Sequence, residues 1–223
     1  MFKIRILLSG VVFALVANIS QAQDYSKYSE EALRKVLNEI AVVETKVLMP
    51  MRDGIGLSTD IYRPKDAEGP VPTIFVRTPY NMNELNIRSL RSVVEAVSRG
   101  YAYIMQNERG RYFSEGKFEI LGYPRTDGYD AMDWISAQGW SNDRVGTIGC
   151  SSTAEWQHGL AAMNHPAHAA MVPQASGAGI GRVGEQQLLL AVLVRRDHLV
   201  QARRDFALHV VVLPVRVALR CCR

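Results

Sequence analysis

The sequence predicts a doubly wound α/β fold, a mostly parallel sheet with helices on both faces, and three patterns predict it. Strand-like and helix-like stretches alternate from Pro72 to Pro173, which is the signature of successive βαβ units. Two strand-like runs joined through Asp53-Gly54 stand before them and read as an antiparallel hairpin. Finally, a β-favouring run at Val145, Thr147 and Ile148 breaks at Gly149, and from Ser152 the apolar period becomes helical, through Trp156, Leu160 and Met163.

Taken in order, the stretch Tyr28–Val43 carries Ala32, Leu33, Val36, Leu37 and Ile40 on a helical stripe, with Ser29-Glu30-Glu31 as its N-terminus. Glu44–Met51 and Leu57–Tyr62 form the hairpin, and Pro64–Pro70 is a loop. Pro72–Arg77 is short, apolar and unalternating, as expected of a strand buried on both faces. Ile87, Leu90, Val94 and Val97 mark a helix that ends at Gly100, and Tyr101–Met105 is the next strand. Thr126-Asp127 caps a helix through Ile135, Val145–Ile148 is a strand, and Ala170–Pro173 is another. The loop from Asn107 to Gly116 reads as a solvated segment with glycine turns.

At 223 residues the chain suffices for one domain with a sizeable core, and its 48% hydrophobic and 22% charged content is globular. Residues 1–22 read as a secretory signal peptide, with Lys3 and Arg5, an apolar run Ile6–Ala17 and a small-x-small end at Ser20-Gln21-Ala22. The alternative is a buried or membrane helix, but the run is too short to span a bilayer. The expectation is an exported protein, periplasmic or secreted, with no stable membrane anchor once the signal is removed.

The net charge of +4 divides into +2 for the signal region, −3 for residues 23–181 and +5 for residues 182–223. A mildly acidic body argues against a nucleic-acid partner. The three cysteines, Cys150, Cys221 and Cys222, have no zinc-site spacing, so neither metal nor cofactor is indicated. Cys150 reads as a small buried filler.

Ligands of doubly wound sheets bind at the carboxyl ends of strands, and Ser151 lies at one such end. A strand that turns abruptly into a helix with Gly-x-Ser at the turn is the context of a nucleophile elbow, so Ser151 is the candidate nucleophile. Gly149 before it and Ala154 after it are small, as a strained turn requires. The full five-residue motif would place glycine where Thr153 stands, and the alternative reading is an ordinary turn with Ser151 or Ser152 capping a helix. A second strand end carries Arg77-Thr78-Pro79-Tyr80-Asn81, from which the Tyr80 hydroxyl could reach the same crevice. Acyl transfer needs donors aimed at the developing oxyanion, each contributing about 3 to 4 kcal/mol.

Met51-Arg52-Asp53-Gly54, Arg77-Thr78-Pro79-Tyr80, Arg109-Gly110 with Ser114-Glu115-Gly116, Asp127-Gly128-Tyr129-Asp130 and Trp140-Ser141-Asn142 precede Val145-Gly146 and Ser151. In that order these segments resemble the cocaine-esterase and Xaa-Pro dipeptidyl-peptidase group of α/β-hydrolases, over roughly Val43 to Gly179. The resemblance implies an α/β-hydrolase fold and a serine hydrolase that cleaves a small ester, amide or short peptide through an acyl-enzyme. It further implies Ser151 as nucleophile, with the Tyr80 hydroxyl and the backbone N–H of Ser152 as the oxyanion hole. The group's motif is Gly-x-Ser-Tyr-x-Gly; here Ser152 replaces the tyrosine and Ala154 the last glycine.

In this group the acid and the base follow the serine, and 72 residues lie beyond Ser151. After Gly184 there is no Gly, Ser, Thr, Asn, Lys, Tyr or Trp, and arginine dominates the charge. The expectation is a reading-frame change near Arg182–Gln186, which makes residues 182–223 a non-homologous basic tail and the fold truncated after the Ser151 helix. The alternative is a basic amphipathic helix for a membrane or partner surface. Asp197, His198, Asp205 and His209 are the downstream acid and base candidates, while His158, His165 and His168 read as core or capping residues. On this reading the product is catalytically incomplete.

Overall fold

The computed structural model describes residues 23–119 and 124–176, with the side chains of residues 124 and 125 excepted. The expected signal peptide and basic tail, with all four downstream acid and base candidates, lie outside the described residues. Among the described residues six strands and four α-helices follow a short 3₁₀ turn at Tyr25–Lys27: α1 (Glu30–Ile40), β1 (Ala41–Pro50), β2 (Gly56–Pro64), β3 (Val71–Thr78), α2 (Ile87–Ser98), β4 (Ala102–Asn107), α3 (Pro124–Ser136), β5 (Ser141–Cys150), α4 (Ser152–Ala162) and β6 (His168–Gln174).

The strands form one sheet in the order β1-β2-β4-β3-β5-β6. β1 and β2 pair antiparallel, β2 meets β4 antiparallel, and β4, β3, β5 and β6 run parallel. The hairpin turn closes at Asp53-Gly54, with Gly54 N–H donating to Met51 O at 2.9 Å and φ +83° at the glycine. A bulge at Lys46, itself at φ 58°, interrupts the β1–β2 register, and the Lys46 ammonium sits 3.0 Å from Asp60.

Alternation along the central strands divides the core between the two faces. Phe75 and Ile104, paired in register, turn to the face that holds Met132, Ile135, Trp156 and Leu160 of α3 and α4. Their neighbours Ile74, Val76, Tyr103 and Met105 turn to the face covered by α1 and α2, against Leu33, Leu37, Leu90 and Val94. Both faces of β3 and β4 are therefore covered, which is why these strands read as apolar runs. The Ser29 hydroxyl caps α1 and the Asn86 carboxamide caps α2.

Three expectations are corrected. The first helix stops at Ile40, because Val42 and Val43 pair with Arg63 and Tyr62 of β2, and β-branched residues favour the pleated ladder. Thr126-Asp127 is not a cap: α3 begins at Pro124, whose fixed φ suits the first helical position, so Asp127 lies inside the first turn. The Asn107–Gly116 loop is not simply solvated, since Asn107 and Ser114 are buried and the Ser114 hydroxyl bridges Ser58 N and Asn107 O.

Candidate active site

β5 ends in an abrupt turn whose centre is Ser151, at φ 56° and ψ −126°. This is a conformation that an L-residue adopts only where the surroundings impose it, and such strain clusters at functional sites. The imposing contacts are visible. Ser151 N–H donates to Gln174 O of β6 at 2.9 Å, and Ser151 O accepts from Ala154 and Glu155 N–H as the first bonds of α4. The Thr153 hydroxyl accepts from Cys150 N–H at 2.7 Å and donates to Cys150 O at 2.8 Å, pinning the last residue of the strand to the first turn of the helix.

Gly149 is required by the same geometry, because a Cβ there would lie 2.0 Å from Thr153 O. Ala154 is fully buried under the turn. The Ser151 side chain makes no capping bond to α4, so the reading of Ser151 as an ordinary helix cap is not what the chain adopts. Its hydroxyl stands exposed at the N-terminus of α4, where the free N–H groups and dipole of the helix favour negative charge. Cys150, expected as a buried filler, is only half-buried, because it ends β5 at the open carboxyl edge of the sheet.

Tyr80 follows β3, the strand beside β5, and the Tyr80 hydroxyl donates to Ser152 Oγ in a long contact of 3.4 Å. The serine that replaces the family tyrosine thus meets Tyr80 directly. Tyr80 is 55% exposed.

Beneath the site lies a charged network whose connections the sequence reading did not identify. Arg77, at the end of β3, is 1% exposed; it reaches Asp127 at 3.5 Å and stacks over Trp156 of α4 at 5.6 Å. Arg109, in the loop after β4, grips Asp127 at 2.7 and 3.1 Å and Asp53 of the hairpin turn at 2.8 and 3.2 Å. Burial pulls the Arg77 guanidinium's pKa down, whereas the hydrogen bonds that Arg109 donates to the Asp127 and Asp53 carboxylates hold its own up. Burial also pushes the Glu108 carboxyl up, against the pull of Arg77 and Arg111. The available signal was a charged residue directly before a glycine at three places, Asp53-Gly54, Arg109-Gly110 and Asp127-Gly128.

Each described histidine bonds a side chain other than that of Ser151. His165 is buried with Nε2 3.0 Å from Asp133, His168 Nε2 lies 3.0 Å from Thr147 Oγ1, and His158 Nε2 lies 2.9 Å from Ser176 Oγ. Burial pulls the His158 pKa down.

A strand–elbow–helix at the carboxyl edge of a sheet with this strand order defines a protein of the α/β-hydrolase fold. A family model for X-Pro dipeptidyl-peptidase (S15 family) matches residues 53–189, and the chain belongs to that family. It is 40% identical over 119 residues to the cocaine esterase of Rhodococcus sp. (strain MB1 Bresler), covering 52% of this chain and 21% of that protein. Among solved structures, an aminopeptidase from a marine sediment archaeon, Thaumarchaeota archaeon, superposes with a TM-score of 0.54 at 32% identity, over 61% of this chain and 26% of the other. An α-amino acid ester hydrolase superposes with a TM-score of 0.55 at 26% identity, over 74% and 28%. The chain spans about a fifth of the cocaine esterase and little more than a quarter of those two structures.

Proposed function

We propose that this chain carries the nucleophile and oxyanion hole of a serine hydrolase acting on a small ester, amide or short peptide. Ser151 Oγ attacks the carbonyl carbon as its proton is taken by a base, the C–O or C–N bond to the leaving group breaks, and that proton passes to the departing alcohol or amine as the acyl-enzyme forms. The Tyr80 hydroxyl and the Ser152 N–H stabilise the oxyanion of the tetrahedral intermediate. The observation that carries this reading is the strained Ser151 backbone, whose side chain is spared from capping and stands at a helix N-terminus, with the Tyr80 phenol against the hydroxyl of the next residue, Ser152. The substrate class is supported by the kinds of protein the chain resembles, an esterase, an aminopeptidase and an amino-acid ester hydrolase. The pattern of residues 1–22 supports action outside the cytoplasm, in a periplasm or secreted.

A second reading, in which the chain does not complete a catalytic cycle, is favoured by the histidines, since each of the three described is bound elsewhere. Without a positioned base, a serine with its oxyanion donors retains only about 10³ to 10⁴ over water. A fluorophosphonate label with peptide mapping, beside a p-nitrophenyl ester assay, tests both readings. Slow labelling at Ser151 that Ser151→Ala abolishes supports the nucleophile, and equal labelling of parent and variant overturns it. A single release of p-nitrophenolate without turnover supports the second reading; sustained turnover lost in Ser151→Ala overturns it.

A further inference from the structure

We infer that Asn107 and Arg111 are positioning residues that hold Tyr80 over the elbow. The inference rests on the reading of Tyr80 as an oxyanion donor. With more than half of its surface exposed, Tyr80 is not fixed by packing; its place is set by its backbone. The β3–β4 ladder ends at the pair Thr78↔Asn107, so the carbonyls after Thr78 have no strand to bond. Asn107 takes over with its side chain: Nδ2 donates to Tyr80 O at 2.8 Å and also to Thr78 O at 3.2 Å, which the Glu108 N–H bonds at 3.0 Å. Arg111 supplies the donor for the carbonyl between them, Nε donating to Pro79 O at 2.9 Å.

Three consecutive carbonyls are therefore gripped from the end of β4 and the loop after it, while Tyr80 N–H donates to Thr78 Oγ1 at 3.0 Å. Both anchors are themselves held. Asn107 is fully buried, and its Oδ1 has no partner among the described residues, so the amide sits there for its two donors. A buried acceptor without a partner is costly, and its presence marks where the donor end is needed. The Arg111 guanidinium stacks on Tyr112 at 5.4 Å and on Phe118 at 4.8 Å, which fixes the direction of Nε.

A residue that acts through Tyr80 loses its effect once the phenol is gone, whereas a general support of the fold does not. The test is a double-mutant cycle on the full chain, reading the rate of Ser151 acylation by p-nitrophenyl acetate. Tyr80→Phe should slow acylation about 10²-fold. Asn107→Ala and Arg111→Ala should each slow it about ten-fold or more in the parent, and by no more than about two-fold in the Tyr80→Phe background. Equal losses in both backgrounds overturn the inference. Arg111 is the less buried of the two, so its variant serves where Asn107→Ala does not fold.

A fluorotyrosine incorporated at Tyr80 provides a readout independent of acylation. One narrow fluorine resonance in the parent should split or broaden in either variant, and an unchanged resonance overturns the anchoring. If the parent is not acylated at Ser151 at all, the proposed function fails, and the fluorine spectra still decide whether Asn107 and Arg111 hold Tyr80.

Discussion

Replacing Asp127 by alanine should be among the most destabilising single changes in this fold, and the structure sets its size. The carboxylate is 1% exposed and accepts from Arg109 at 2.7 and 3.1 Å and from Arg77, also 1% exposed, at 3.5 Å. Removing one partner of a buried ion pair costs about 3–5 kcal/mol, because the remaining charge loses its compensation while still desolvated. Arg109 keeps Asp53. The lower end of the range therefore applies, about 3 kcal/mol, or about 150-fold in the folding equilibrium. Against a typical domain stability of about 5–15 kcal/mol this is a large fraction. With a urea dependence of about 2 kcal/mol per molar, the midpoint should fall by about 1.5 M. Asp127→Asn keeps the shape and one acceptor and should lose about half as much. The exposed pair Glu30–Arg34 is the contrast, with both side chains half in solvent, and Glu30→Ala should shift stability by no more than about 0.5 kcal/mol. A midpoint shift for Asp127→Ala no greater than that for Glu30→Ala would refute the view that burial, rather than the mere presence of an ion pair, sets the energy.

Two further outcomes follow from the site. Gly149→Ala places a Cβ 2.0 Å from Thr153 O, so the elbow must open; Ser151 labelling by a fluorophosphonate should fall about 10²-fold or more, and labelling at the parent rate would show that the elbow geometry is not what makes Ser151 reactive. Glu108, whose pKa burial raises, binds its proton more tightly in the folded chain than in the unfolded one. The stability this contributes is fully present below the unfolded value of about 4.3 and is lost as pH rises through the raised value. The always-neutral variant Glu108→Gln should therefore match the parent in urea near about pH 4 and exceed it near about pH 7; a variant weaker than the parent at the higher pH would show that Arg77 and Arg111 outweigh desolvation.

The α/β class, the hairpin at Asp53-Gly54 and every strand and α-helix of the described residues were legible in the sequence, because each rests on local preference and period; the 3₁₀ turn at Tyr25–Lys27 was not. Phe75 and Ile104 announce a strand covered on both faces wherever they stand, and Ser29 caps a helix by a bond three residues long. Ser151 and Tyr80 were legible as strand-end residues for the same reason, and their order along the chain carried the family resemblance. Element ends were less legible, since Val42 and Val43 become strand only when β2 lies alongside.

What only the tertiary structure decided are the interactions between residues far apart in the chain. Asp127 looks like a helix cap until Arg109 and Arg77 are seen converging on it from the ends of two strands. Thr153, a departure from the five-residue motif, becomes the clamp of the turn only once Cys150 folds back against it. Asn107 and Arg111 belong to a loop that reads as solvated, yet they reach 27 and 32 residues back to the carbonyls on either side of the Pro79–Tyr80 bond. Periodicity records which face of its own element a residue occupies. It carries no information about which distant partner will stand opposite, and a buried charge or amide takes its role from that partner, because desolvation makes an unmatched group too costly to keep.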